Sequence, residues 1–453
     1  MSIDQRRARV QRRTLTVVVI SQVLGGAGLA AGVTVGALLA GELLGHDGVA
    51  GLPVALFTLG AALTAYLVGR LTGRFGRRVG LGIGFAAGGL GGFGVVAAAV
   101  AGNIPLLFAA FFVYGAGTAT NLQARYAGGD LALPDARGRA ISIAMVSTTL
   151  GAVAGPNLVE PMGSVAVGLG IPALAGPFLL SGAAYLAAGI VLLALLRPDP
   201  LLFARQLEEE RSEETLAAAP AAEASRAGLA RAPTGADPAT GAAAPSHPAR
   251  HDGAADGAAA VVVPETRPRT GAYVGAAIMV LIQIAMVAIM TMTPVHMRAH
   301  NHSLSDVGLV IGLHIAAMYL PSLATGALVD RIGRTPVAVA AGVTLLAAGL
   351  VGAFAPGDSL GLLVLSLVLL GVGWNLGLIS GTALVVDATV PENRPRVQGS
   401  IDVLVSLAGA GGGAASGFVM VSSSYAGLSV AGGVLAMLFI PVLWWARRRV
   451  AST

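Results

Sequence analysis

Two arrays of charged and glycine residues could do chemistry in this chain, and each occurs twice at one spacing. The first is GALVDRIGR, which sets Gly326, Asp330, Arg331, Gly333 and Arg334 in a single short stretch. An altered copy, GRLTGRFGR, sets Gly69, Gly73, Arg74, Gly76 and Arg77 at positions 257 residues earlier. The second array is Asp130, Pro134, Arg137 and Arg139, which returns as Asp387, Pro391, Arg394 and Arg396 at the same offset of 257. Guanidinium groups hold carboxylates and the carbonyls of helix C-termini, and a carboxylate can face the amides of a helix N-terminus. Glycine allows close helix approach and tight turns. This is the chemistry of a latch between elements. No convergent set of acid, base and metal ligands accompanies it, so no enzyme, metal or cofactor is expected.

Other residues invite a chemical reading. Arg125 and Asp130 are five positions apart and pair with each other or with the 70–78 turn; the blander reading is a charge cluster with Arg137, Asp387 and Arg394 at one end of the helices. His314 is the one titratable side chain deep in an apolar run. An ionisable group there is a functional hypothesis by default, and imidazole titrates in the useful range, so His314 is a candidate for proton coupling. The alternative is a neutral imidazole satisfied by a neighbouring helix. Gly82-Ile-Gly84 imitates a dinucleotide fingerprint but follows no strand. His296, His300 and His302 have near-metal spacing without a matching carboxylate and read as a solvated loop.

The elements that must position these residues are long apolar runs. Of 453 residues, 55% are apolar and 11% charged, against roughly 25% charged in ordinary globular chains. A polytopic membrane protein follows. Cysteine is absent, which excludes disulfides and thiol chemistry, and all 28 basic residues are arginine. The high isoelectric point reflects arginines holding loops on one side of a bilayer, and no nucleic acid is expected. About 20 apolar residues cross a bilayer. That ruler predicts spans near 15–40, 49–69, 79–101, 105–127, 139–160 and 172–196, then 271–293, 306–329, 336–355, 360–386, 399–421 and 427–446. Residues 1–196 and 271–453 are thus two bundles, joined by an Ala-, Pro- and Arg-rich linker over 197–270 that reads as disordered apart from a short helix near 208–214. Twenty-six arginines fall in segments assigned to one side, Arg125 at the inner end of a span, and Arg298 alone on the other side. The positive-inside rule then places both termini in the cytoplasm.

Six plus six parallel repeats with G-x-L-x-D-R-x-G-R between the second and third spans of a half resemble the major facilitator superfamily. The expected fold is an all-α membrane protein with twelve transmembrane helices in two six-helix parallel repeats. In that family the turn latches the halves on the cytoplasmic side. Gly73 stands where the resemblance implies Asp, and Asp402, in the first turn of the eleventh span, is expected to lend its charge to Arg74 or Arg77. Its plainer role is a partner for the helix dipole. Gly151, Gly155 and Pro156 resemble the family's antiporter signature, and they equally suit helix packing. Tyr114, Thr148, Gln283, Tyr319, Trp374 and Asn375 lie in spans that the family arranges around a central cavity, and they suit a flat or amide-bearing solute. The stretch WNLGLISGTALVVD, with PVHM and HIAAMYLPSLATG, resembles a sparsely characterised bacterial branch, with a distant likeness to vitamin-type, riboflavin-like transporters.

The resemblance implies a monomeric secondary transporter in the cell inner membrane, driven by a gradient and moving a small organic solute. It is read as proton-linked, with export preferred. The alternatives are an uptake permease or facilitator for a vitamin-like metabolite, and a non-transporting membrane sensor.

Overall fold

Helix ends in this chain are written locally. Asn103 accepts from the Leu106 amide at 3.0 Å and proline follows inside the first turn, the usual opening for a helix. Ser303 and Asp306 form a reciprocal capping box, with 3.1 Å and 2.9 Å bonds to each other's backbone amides. Gly76 and Gly333 take φ of 88° and 93°, the left-handed region that lets one helix end and the next begin without a spacer.

The computed structural model describes residues 3–34, 39, 51–213 and 270–441. The chain divides into two units, Met1–Arg205 with Pro268–Thr453, and Gln206–Arg267. Of the second unit only residues 206–213 are described, and they are helical. In the first unit, α1 (Ile3–Thr34), α2 (Gly51–Phe75), α3 (Arg77–Ala101), α4 (Ile104–Gly129), α5 (Arg137–Asn157), α6 (Val159–Gly168) and α7 (Gly176–Leu195) form the first half. A helix α8 opens at residue 200. The second half holds α9 (Thr270–Ala299), α10 (Leu304–Tyr319), α11 (Ser322–Ile332), α12 (Arg334–Phe354), α13 (Leu360–Asp387), α14 (Arg394–Ser422) and α15 (Tyr425–Met437). The described residues contain no strand. Among the described residues nine helical stretches are long and apolar enough to cross a membrane, α10 and α11 together forming one of them, and a shorter apolar helix covers Tyr425–Pro441.

Packing repeats with the sequence. α1 lies on α5 as α9 lies on α14, α3 on α4 as α12 on α13, and α3 on α7 as α12 on α15. Phe85, Phe111, Tyr114 and Phe178 anchor an apolar core in the first half, and Ile282, Leu345, Leu367 and Trp374 anchor a second core that also takes in Ile141 and Met145 of α5. The halves meet along two matched crossings, α2 on α14 and α11 on α5.

Two expectations need adjustment. The first span, expected to open near residue 15, belongs to a helix that begins at Ile3, so the arginine-rich start is helical too. The last carbonyls of a helix lack intrahelical partners. Arg7 donates to Leu131 O and Ala132 O at 2.8 and 3.0 Å, and Gln11 to Gly128 O at 2.7 Å, so these side chains close the end of α4. The eighth expected span is also two helices. Pro321 has no amide to continue the ladder and breaks the run between α10 and α11.

Asn375 repairs that break. Its Nδ2 donates to Met318 O at 2.7 Å and Ser322 Oγ at 2.8 Å, while its Oδ1 accepts from Thr325 at 2.6 Å. Asn375→Leu should therefore lower stability by about 1–3 kcal/mol, the cost of stranding buried polar groups. The measurement is the thermal midpoint of purified protein in detergent. A midpoint equal to the parent's would show that the break needs no brace.

Candidate functional site: a latch between the halves

The second copy of the repeated turn is built from the end of α11 and the start of α5. Asp330 Oδ1 accepts from the Gly138 amide and Oδ2 from the Arg139 amide, both at 2.8 Å. One carboxylate thus caps the N-terminus of a helix in the other half, where amides are unpaired and the dipole favours negative charge. The backbones touch just beside it. A Cβ on Gly326 would stand 2.5 Å from Gly138 O, and one on Gly138 2.6 Å from Gly326 O. Arg334, opening α12, donates from Nε to Asp387 Oδ2 at 2.9 Å and from Nη2 to Pro134 O. Arg137 donates to the other oxygen of Asp387. Asp387 therefore holds one arginine from each half.

The first copy repeats the arrangement in mirror order. Arg77 grips Asp130 through Nε at 2.7 Å and Nη2 at 3.2 Å, and Arg394 of the other half reaches the same carboxylate at 3.5 Å. Gln398 on α14 accepts from Arg77 at 2.5 Å. Gly69 lies on α14 so closely that a Cβ would meet Gly399 Cα and Pro395 O, each at 2.8 Å. The environments of the two copies differ. The Asp130 side chain is 0% exposed and the Asp387 side chain 31%. Exposed pairs are worth about 0–1 kcal/mol, whereas removing one partner from a buried pair costs about 3–5 kcal/mol. The first lattice is the dry and stringent one.

Nearer the centre, Arg125 of α4 crosses to α14. It donates from Nη2 to Asp402 Oδ1 at 2.8 Å and to Tyr126 Oη at 2.8 Å, and from Nε to Thr382 at 3.1 Å. Tyr126 adds a 3.2 Å bond to Asp402. Both charged side chains are 2% exposed or less. At the offset of 257, Arg125 corresponds to Thr382 and Asp402 to Met145, so this ion pair occurs once. It corrects two expectations. Asp402 does not answer Arg74 or Arg77, because its hydrogen bonds go to Arg125 and Tyr126; Arg74 is exposed and lies 5.1 Å over the Phe75 ring. Arg125 does not pair with Asp130, which Arg77 and Arg394 occupy. Arg331 is likewise exposed.

The residues expected around a central cavity separate into two sets. Tyr114 donates to Gly28 O at 2.5 Å inside an aromatic cluster with Phe57, Phe178 and Tyr185. Thr148 accepts from Gln22 at 3.0 Å, and Asn375 braces the α10–α11 break. These three are satisfied within their own halves and buried, which corrects their placement as cavity-lining groups. Gln283, Tyr319 and Trp374 instead stand together. Trp374 Nε1 donates to Gln283 Oε1 at 2.8 Å, the Tyr319 and Trp374 rings meet edge to face at 5.9 Å, and Gln283 and Tyr319 are part-exposed. His314 is fully buried, with Nδ1 2.8 Å from Leu367 O and no hydrogen-bond partner at Nε2. Gly151 packs on α1, where a Cβ would meet the Gly26 carbonyl carbon at 2.8 Å. The packing surroundings of Gly155 and Pro156 lie outside the described residues.

Sequence reading missed Gln398, Tyr126 and Thr382. Their only signal was a polar side chain in an apolar run near a known arginine, and many residues in such a chain share it.

The profile of the family described as Major Facilitator Superfamily matches residues 17–233 and 275–453. The chain is 53% identical over 449 residues to the "Uncharacterized MFS-type transporter YdeG" of Bacillus subtilis, covering 99% of this chain and 95% of that one. It is 28% identical over 406 residues to the "Riboflavin transporter RfnT" of Brucella anthropi, covering 88% and 86%. Among solved structures, the proton:xylose symporter XylE matches with a TM-score of 0.68 over 97% of this chain and 96% of that one, at 14% identity, a likeness of fold alone. With the paired turns, the two-repeat helical fold and a profile match across both halves, this chain belongs to the Major Facilitator Superfamily.

Proposed function

We propose that this protein is a secondary active transporter that moves a small organic solute by alternating access, linked to protons, with export preferred. The observation that carries the reading is the doubled latch. The ion pairs that join the halves, Arg137–Asp387 and Arg394–Asp130, gather at the arginine-rich end, and apart from Ile141 and Met145, which pack into the second core, each half keeps its own core when they open. Rocking of two bundles about a central site follows from that construction. The arginine distribution supports assigning the latched end, and both termini, to the cytoplasm of a bacterial inner membrane.

Proton linkage rests on Asp402. Its carboxylate is held by an arginine of the other half in a dry site, so its surroundings depend on whether the halves are together. Parting the halves removes Arg125, and a carboxylate left in an apolar wall is then stabilised by taking a proton. His314 suits this role less well, because its hydrogen bond stays within one half and does not change when the halves part.

A second reading, uptake of a flavin-like metabolite, draws on the 28% identical riboflavin transporter and on the Gln283–Trp374–Tyr319 group. The buried Trp374 fixes the amide of Gln283 through its oxygen, which leaves Nε2 to donate to a ring carbonyl, and the part-exposed Tyr319 ring suits a planar solute.

A thermal-shift screen of planar heterocycles, riboflavin included, is expected to yield a stabilising ligand. At one hundred times Kd the stabilisation is about 2.7 kcal/mol. Gln283→Leu should weaken that ligand at least tenfold while the unliganded midpoint stays close to the parent's. Undiminished affinity would remove this group from the site. In proteoliposomes the same ligand should accumulate against its gradient when a pH difference is imposed. Asp402→Asn should abolish gradient-driven accumulation yet retain exchange, and His314→Ala should keep the parental pH profile. Gradient-driven accumulation by Asp402→Asn at the parental level would refute the coupling role.

A further inference from the structure

The first copy of the latch lacks its carboxylate, and the structure shows what stands there instead. In the second copy, Asp330 accepts from two amides, those of Gly138 and Arg139. Shifted by 257, those amides belong to Pro395 and Arg396, and proline has none to offer. An aspartate at position 73 would have room, since a Cβ there finds its nearest atoms at 3.8 and 3.9 Å, but it would find only half of the donors. Gly73 and Pro395 therefore change together, and a latch of the opposite sign occupies the place.

That latch comes from the segment after the first half, which the sequence reading assigned to the linker. Asp199 fixes its course. Oδ1 accepts from the Leu201 and Leu202 amides at 3.0 and 3.2 Å, opening α8, and Oδ2 accepts from the Arg78 amide at 2.7 Å in the first turn of α3. Gly76 leaves the space, because a Cβ there would stand 2.5 Å from Asp199 Cγ. So anchored, α8 brings Arg205 against both halves at once. Its Nη1 and Nη2 donate to Gly73 O at 3.2 Å. Nε and Nη2 donate to Pro391 O at 3.3 and 3.0 Å, and Nη2 also reaches Glu392 O at 3.4 Å. Gly73 O is among the last carbonyls of α2, where a cation is favoured. Pro391 and Glu392 form the turn that leads into α14 in the other half.

We propose that Arg205 is the latch of the first copy: a guanidinium bridging carbonyls of the two halves where a carboxylate would otherwise cap a helix. It is a positioning residue of the conformational cycle, and the start of the central segment is thereby part of the gate. This rests on the alternating-access reading, so the test needs no solute and separates the two ideas. The chain has no cysteine, so thiols introduced by Asp135→Cys in the first half and Ile332→Cys in the second are unique and exposed. Spin labels there report the separation of the latched end by double electron–electron resonance in lipid nanodiscs. A second pair, Asp135→Cys with Val100→Cys, lies within the first half and reports its integrity.

Arg205→Ala should raise the widely separated population at least threefold and leave the intra-half distance unchanged. Arg205→Gln, which keeps one donor group but loses the charge and the fork, should do the same if the alanine variant is unstable. Asp330→Asn, the matching lesion in the second copy, is the reference. If Asp330→Asn opens this end and neither Arg205 variant does, the latch proposal is overturned and the transport reading survives. If none of the three changes the distribution, the moving-halves reading fails with it.

Discussion

A charge inside an apolar bundle must have a partner, and at Asp130, Asp387 and Asp402 one partner comes from the opposite half. Asp130 and Asp387, at the ends of α4 and α13, each receive one arginine from their own half and one from the other. Each carboxylate is thus both a brace within a bundle and a clasp between bundles. The remaining arrangement follows from where those clasps can be made. Helices must end in tight glycine turns to present arginine at α3 and α12, and the crossings α2–α14 and α11–α5 must bring backbones into contact beside them.

The two copies share a plan, and their energetics differ. The clasp at Asp130 is dry, and the one at Asp387 is partly wet. Charge screening and side-chain entropy weaken the second, whereas the first is strong only while every partner stays in place. The carboxylate that caps a helix across the interface exists only beside the wet clasp, at Asp330. Beside the dry clasp, Arg205 joins two carbonyls. A helix N-terminus needs an anion and a helix C-terminus a cation, so either sign closes the gap provided it meets the appropriate end. The unpaired feature is Arg125–Asp402, which has no image in the repeat. The duplicated scaffold carries the paired clasps, and this ion pair lies outside the duplication.

The chain itself determined the membrane class, the two-repeat helical fold and the identity of the repeated turns. These follow from run length, charge scarcity and a fixed offset, and such properties survive without knowing any neighbour. It also determined that Gly73 departs from Asp330, a difference visible in the letters. Tertiary structure decided the pairings. Asp402 went to Arg125 because α4 and α14 cross at that level, while Arg77 was already committed to Asp130. Tyr114, Thr148 and Asn375 turned into their own bundles because buried carbonyls and hydroxyls there required them. The partner of Gly73 was hidden for the same reason. Arg205 is 132 residues away in a segment that composition marks as linker, and only the fold of Asp199 against α3 brings its guanidinium to the gap. Local sequence specifies which ends of helices need charge; which charge arrives is set by distances that no spacing encodes.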